Sequence, residues 1–319
     1  MKFNVPATVA VLGGAIIAYA CGGSLASQGP STVPTPAPTP AFPAIMAAGD
    51  ISCDSATPQL PCRSKGTSDL IASERAARPN VNVLVLPLGD LQYDSGTLDE
   101  FKKNYNTTWG RFNSFSRPVL GNHEYETRGA AGYFDYFASA GVNVGARTEG
   151  WYSYTLGDWH FVALNSNCDR IGGCNAGSAQ FRWLQGDLAT NRQKCTVAYM
   201  HHPFLSSGQN GSTPELLPLM RLLYENNTEL VLAGHDHTYE RFNPITPELV
   251  ADPAKGLRLF VVGTGGRDLY QFPRQLPQSD FRSNQHFGVL RIVMKDGAYD
   301  WAWINTEGVP LDSGSGVCF

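Results

Sequence analysis

The chain has 319 residues, 42% of them apolar and only 16% charged, with a formal net charge of −4. That balance supports a sizeable core and excludes disorder over most of the length. No run of Lys and Arg occurs, which excludes the phosphate-neutralising face of a nucleic-acid binder, so no nucleic-acid partner is expected.

After Lys2 no charged residue follows until Asp50, and Ala7 to Ala20 is almost wholly small or apolar. This stretch is short for a membrane span and suits the core of a signal peptide. It closes on Ala18-Tyr19-Ala20-Cys21. That tetrapeptide reads as an A-x-A cleavage site, and equally as a loose lipobox in which Cys21 is acylated and becomes the mature N-terminus. Residues 1–21 are therefore expected to be a signal peptide or lipobox. Residues 22–43, with six prolines from Pro30 to Pro43, are expected to be an extended Pro/Ser/Thr-rich linker. Both readings place the protein outside the cytoplasm, secreted or held at a bacterial cell envelope. Its membrane contact would come only through a lipid on Cys21.

Residues 44–319 show no further shift in composition and read as one α/β domain. Six short apolar runs end in polar, turn-forming residues. They are Ala44–Ala48 before Asp50, Val81–Leu88 before Asp90, Pro118–Leu120 before Asn122, Thr196–Met200 before His201, Leu230–Ala233 before His235, and Leu259–Val262 before Gly263. Runs of this kind predict strands buried on both faces. Helical spacing predicts helices over Ser178–Asn191, with Ser178 as N-cap, and over Pro214–Asn226. Phe287–Met294 and Tyr299–Ile304 read as antiparallel strands joined at Asp296-Gly297. Ligands of open α/β sheets bind beyond the carboxyl ends of the strands, so the residues closing the runs should converge.

Each closing block alone is weak evidence. An Asp after a strand usually just caps a turn. Asp90 and Tyr93, three apart on one loop, can reach a common ion, and Asn122, His123 and Glu124 crowd more chemistry together than a turn requires. His201 and His202 should point opposite ways on an extended chain, whereas His235 and His237, at i and i+2, should project together. Five of the seven histidines fall in these blocks; His160 and His286 stand in ordinary strand contexts and read as packing or surface residues. Carboxylate, phenol and amide oxygens mixed with imidazole suit Fe, Zn or Mn, and no cysteine has metal-ligand spacing with them.

In this order the blocks resemble those of the metallophosphoesterase (calcineurin-like) superfamily, and within it the purple acid phosphatases: Gly49-Asp50, Gly89-Asp90-Leu91-Gln92-Tyr93, Gly121-Asn122-His123-Glu124, Met200-His201-His202 and Gly234-His235-Asp236-His237. Most of the superfamily carries D-x-H in the first block. Here Ser52 stands in place of that His, and Tyr93 is available to substitute for it. The resemblance implies a four-layer α/β/β/α sandwich with a dimetal site at the strand ends. It implies Asp50, Tyr93 and His237 on metal 1, Asn122, His201 and His235 on metal 2, and Asp90 bridging. A phenolate suits Fe(III) at metal 1, with a purple charge-transfer colour; metal 2 would be Fe(II), Zn or Mn.

The implied activity is hydrolysis of phosphate monoesters by attack of a metal-bound hydroxide. His123 would meet developing charge, and His123 or His202 would serve the leaving group. The Phe204–Ser212 loop carries no histidine, with Gln209 and Asn210 where plant relatives would have an acid, so activated esters are expected to be favoured. No accessory β-domain of the plant kind is expected ahead of Ala44. Two alternatives stand: a phosphodiesterase or nucleotidase with the same metals, and a non-catalytic metal- or phosphate-binding envelope protein. With Cys21 lipidated, six of the seven cysteines remain, open to fifteen pairings. Short local loops favour Cys53 with Cys62 and Cys168 with Cys174, which leaves Cys195 for Cys318.

Overall fold

Seventeen regular elements of the computed structural model lie within residues 42–53 and 62–319, the residues it describes. The segments expected to be a signal peptide or lipobox ending at Cys21, and nearly all of the expected linker, lie outside the described residues. In chain order they are β1 (Ala44–Ala48), α1 (Ser64–Ala76), β2 (Val83–Pro87), α2 (Leu98–Lys103), α3 (Ala131–Ser139), β3 (Tyr152–Leu156), β4 (Trp159–Ala163), α4 (Ala179–Thr190) and β5 (Cys195–Tyr199). There follow α5 (Leu217–Glu225), β6 (Leu230–Ala233), β7 (Tyr239–Phe242), β8 (Arg258–Val262), β9 (Ser279–Ser283), β10 (Gly288–Lys295), β11 (Ala298–Asn305) and β12 (Pro310–Val317).

The strands form two sheets, ordered β12-β11-β10-β1-β2 and β3-β4-β5-β6-β8-β7-β9. The fold class is thus mixed α/β with the two sheets that the family resemblance implies. Parallel pairing joins β1 to β2 and runs through β4, β5, β6 and β8. Every residue of β1, β2, β4, β5 and β6 is buried, and β1, β2 and β6 accordingly read as unbroken apolar runs.

Alternation then sorts the side chains. Phe161, Ala163, Val197 and Tyr199 join the core shared with the first sheet, while Val162, Leu164, Ala198 and Met200 pack with Leu184 and Leu188 of α4 and Leu219 and Leu223 of α5. Aromatic rings cross between the sheets: Tyr239 stacks on Trp303 at 4.3 Å, and Phe260 meets Trp301 edge-on at 5.9 Å. A buried ion pair also crosses. Arg241 of β7 reaches Asp312 of β12 through Nε at 2.8 Å and Nη2 at 3.0 Å, and also pairs with Asp280.

Differences from the sequence reading are local. Pro118–Leu120 is not a strand; only an isolated bridge joins Val119 to Leu88, because Pro118 has no amide to donate and the run is three residues long. The second helical pattern opens with a 3-10 turn at Pro214–Leu216 before α5. His286 lies in the exposed loop between β9 and β10 rather than in a strand. His160, within β4, is buried with Nε2 2.9 Å from Asp187 Oδ2. Ser178 caps α4 by accepting from the Phe181 amide at 3.2 Å. Disulfides join Cys53 to Cys62, Cys168 to Cys174 and Cys195 to Cys318. No helix among the described residues is long and apolar enough to cross a membrane.

Candidate metal centre

Beyond the ends of β1 and β2 the two chains stay paired. The amides of Asp50, Ile51 and Ser52 donate to the carbonyls of Gly89, Asp90 and Leu91, and the Tyr93 amide returns to the Ser52 carbonyl at 2.8 Å. This frame sets Asp50 and Asp90 side by side and turns Tyr93 in beside both. Asp50 and Asp90 adopt left-handed backbone with φ of 60° and 47°, a conformation that Asp tolerates better than most residues. Gly89, with φ of 82°, leaves room for His201: a Cβ there would stand 2.6 Å from the imidazole.

All side chains of the first candidate group converge on one oxygen. Tyr93 Oη lies 2.9 Å from Asp50 Oδ1, 3.0 Å from Asp90 Oδ2 and 3.0 Å from His237 Nε2. One hydroxyl proton cannot satisfy three buried partners at once, so this packing of acceptors suits a cation. In the second group His201 Nε2 is 3.1 Å from Asn122 Oδ1, 3.2 Å from His235 Nδ1 and 3.3 Å from Asp90 Oδ2. Asp90 thus touches both groups, as bridging would require. The outward nitrogens are committed: His201 Nδ1 lies 2.9 Å from the Leu88 carbonyl and His237 Nδ1 2.7 Å from the Asp268 carbonyl, which leaves each Nε2 facing inward.

Burial and charge work against each other here. Burial disfavours the Asp90 carboxylate, yet His201, His123 and His235 hold it well below the usual carboxylate range. Burial likewise opposes charge on His201, but Asp90 lifts it to about 9; for His237, Asp50 and Asp268 overcome burial and lift it to about 10. Burial and His201 push His235 down to about 4. Burial, Asp50 and Asp90 drive the Tyr93 phenol well above its ordinary value. Protons thus fill the positions that a hard cation with oxygen and imidazole ligands would take, and the residues fit such a group.

Two expectations about the histidines change. His235 and His237 do reach the cluster together, but through a turn in which His235 has φ of 71°, not along an extended strand. His201 and His202 do not point opposite ways. The chain leaves β5 before them, and both rings pack against His235, with centroids at 5.0 and 4.4 Å. His202 Nδ1 lies 2.9 Å from Ser166 Oγ, which also accepts from the His202 amide at 2.8 Å. His123 stands with its ring 4.3 Å from that of Tyr93 and Nε2 4.0 Å from Asp90 Oδ2. A cavity of about 920 Å³ opens beside Asn122 and His202, walled by the Cys168–Cys174 loop and Thr213–Pro218.

Sequence reasoning missed several supports. Asp236, between two candidate ligand histidines, is buried and accepts from Ser206 Oγ, the Asn210 amide and the Gly211 amide. Asn210 Nδ2 in turn donates to the His235 carbonyl at 2.9 Å, so its side chain braces the site. Tyr270 stacks on His237 at 3.8 Å, and no periodicity or motif marked it.

The calcineurin-like phosphoesterase family model matches residues 44–239. Purple acid phosphatase 23 of Arabidopsis thaliana is 30% identical over 186 residues, which cover 52% of this chain and 39% of that protein. The probable purple acid phosphatase 20 of the same plant is 27% identical over 282 residues, 78% of this chain and 62% of that protein. The solved purple acid phosphatase PPD1 from yellow lupin seeds shares the fold at a TM-score of 0.69, with 21% identity, over 87% of this chain and 54% of that one. The chain covers less than two thirds of the length of each of these relatives.

Proposed function

The chain belongs to the calcineurin-like phosphoesterase family, and we propose that it is an exported dimetal phosphatase acting on phosphate monoesters, like the purple acid phosphatases it is similar to. The observation that carries this reading is the convergence of Asp50, Asp90 and His237 on the Tyr93 hydroxyl within 3.0 Å or less. Asp50, Tyr93 and His237 would hold one ion, Fe(III); Asn122, His201 and His235 would hold the second, Fe(II), Zn or Mn; Asp90 would touch both. Two bound ions supply polarisation of the ester and a water acidic enough to attack it near neutral pH.

The residues around the centre divide the remaining work. Ser166 accepts from the His202 amide, so its own hydroxyl is free to donate to His202 Nδ1, which leaves the proton on Nε2. Burial and the neighbouring His201 and His235 push His202 well below its ordinary pKa, so it serves the leaving group as a neutral hydrogen-bond donor. His123 Nδ1 lies 2.6 Å from the Asp94 carbonyl and donates there, which turns Nε2 toward Asp90 and the reacting ester. The three disulfides support export, since such bonds persist in oxidising compartments.

The test is direct. Purified protein should hold two ions, show a visible band that disappears in Tyr93→Phe, and hydrolyse an aryl monoester. Asp90→Asn should cost more than the roughly 10–100-fold typical of residues behind the ligands. Two bound ions with wild-type hydrolysis in Asp90→Asn would sink the enzyme reading. The cavity beside Asn122 has room for a second alcohol group and favours one further reading, phosphodiester hydrolysis. A matched aryl diester cleaved faster than the monoester would establish that reading instead.

A further inference from the structure

The loop after β8 carries a residue with no place in the ligand set. Arg267 follows Gly263–Gly266, and its amide donates to the Asp50 carbonyl at 2.9 Å, which pins it beside the cluster. Its guanidinium carbon stands 4.8 Å from the centre of the Tyr93 ring. Two carboxylates hold it there, with Asp94 Oδ1 3.3 Å from Nη2 and Asp268 Oδ1 3.2 Å from Nε. The same two residues lend their carbonyls to His123 and His237. A cation over an aromatic face is common on protein surfaces and needs no function. This ring is different, because its oxygen is the point on which the candidate carboxylates converge.

We infer that Arg267 is a positioning residue that acts through the face of the Tyr93 ring and sets how strongly the phenolate oxygen donates electrons to a bound trivalent ion. The inference rests on the tyrosine-ligated centre proposed above. Positive charge over a phenolate stabilises its electrons, weakens donation and raises the energy needed to move one of them onto the ion. Asp94 and Asp268 moderate the effect by partly neutralising the guanidinium. Removing the cation therefore lowers the transition energy, and removing the Asp94 carboxylate raises it.

Visible spectra of the whole chain, loaded with iron to equal metal content, read this out. Arg267→Met keeps the length but not the charge, and should move the band to longer wavelength by on the order of 20 nm. Arg267→Lys keeps the charge and should leave the band near its wild-type position, whereas Asp94→Asn should move the band to shorter wavelength. Opposite shifts from two partners in one ion pair are not what general loosening of the loop produces. If Arg267→Met fails to take up metal, Asp94→Asn carries the test. A band unmoved in metal-loaded Arg267→Met, or in Asp94→Asn where Arg267→Met takes up no metal, overturns the inference and leaves the tyrosine-ligated centre standing. A wild-type protein that holds two ions but shows no band overturns both.

Discussion

Glu124 has no place among the candidate ligands, yet both of its oxygens are spent on the loops that carry them. Oε1 accepts from the amides of Leu91 at 2.8 Å and Gln92 at 3.3 Å, and Oε2 from those of Gly121 at 2.7 Å and Asp90 at 3.0 Å. Glu124→Gln would turn one oxygen into an NH₂ group facing amides that also donate. The expected cost is about 2–3 kcal/mol in denaturant unfolding. Because the Asp90 loop shifts, affinity for added metal should also fall roughly 10–100-fold. Wild-type stability and metal titration in this variant would refute the assignment. In the sequence Glu124 shows only as an acid beside Asn122 and His123, since nothing in spacing says that a side chain turns back to collect amides from another loop. The ligand candidates were legible for the opposite reason: each closes a short apolar run or lies within three residues of one that does, so the pattern of runs gives its place. Arg267 and Tyr270 sit in an aperiodic loop and gave no such signal.

Among the elements, β1 and β6 match their predicted limits residue for residue, because parallel strands buried on both faces leave an unbroken apolar run. The pattern fails where charged residues are buried, as in β7, where Glu240 accepts from the Ser207 amide and Arg241 pairs with Asp312. It also fails in α1, where polar and small residues fill buried positions such as Ser64, Thr67 and Ser68. A further consequence arises at the start of β6. Glu229 is buried, and its carboxylate accepts from the amides of Thr196 at 2.6 Å and Phe319 at 3.2 Å. Burial pushes it up to about 7 from an ordinary 4.5, with the amides pulling the other way. Between those values the folded chain keeps a proton that the unfolded chain releases. Stability should therefore fall as pH rises from 4.5 to about 7, by roughly 2–3 kcal/mol from this group. Denaturant unfolding at pH 5 and pH 7 should show a flatter dependence in Glu229→Gln than in the wild type; equal slopes would count against it.

For the molecule as a whole, the link between sheets is testable at Asp312. It accepts from Arg241 twice and from the Tyr239 hydroxyl at 2.7 Å, all within the shared core. Asp312→Ala leaves a buried guanidinium short of its partner and should cost about 3–5 kcal/mol. Metal content should stay unchanged, because no candidate ligand touches the pair. Loss of metal at native stability would show that the sheets transmit to the site in a way this packing does not explain. The Cys195–Cys318 bond, with a sequence separation of 123, has another consequence. It closes a covalent ring that contains His201, His235 and His237 but leaves Asp50, Asp90, Tyr93 and Asn122 outside. A single protease cut between His201 and His235 should therefore leave one mass on a non-reducing gel and two after reduction. Even nicked there, the ring keeps its three imidazoles on one molecule, so a break in the main chain need not disperse the centre.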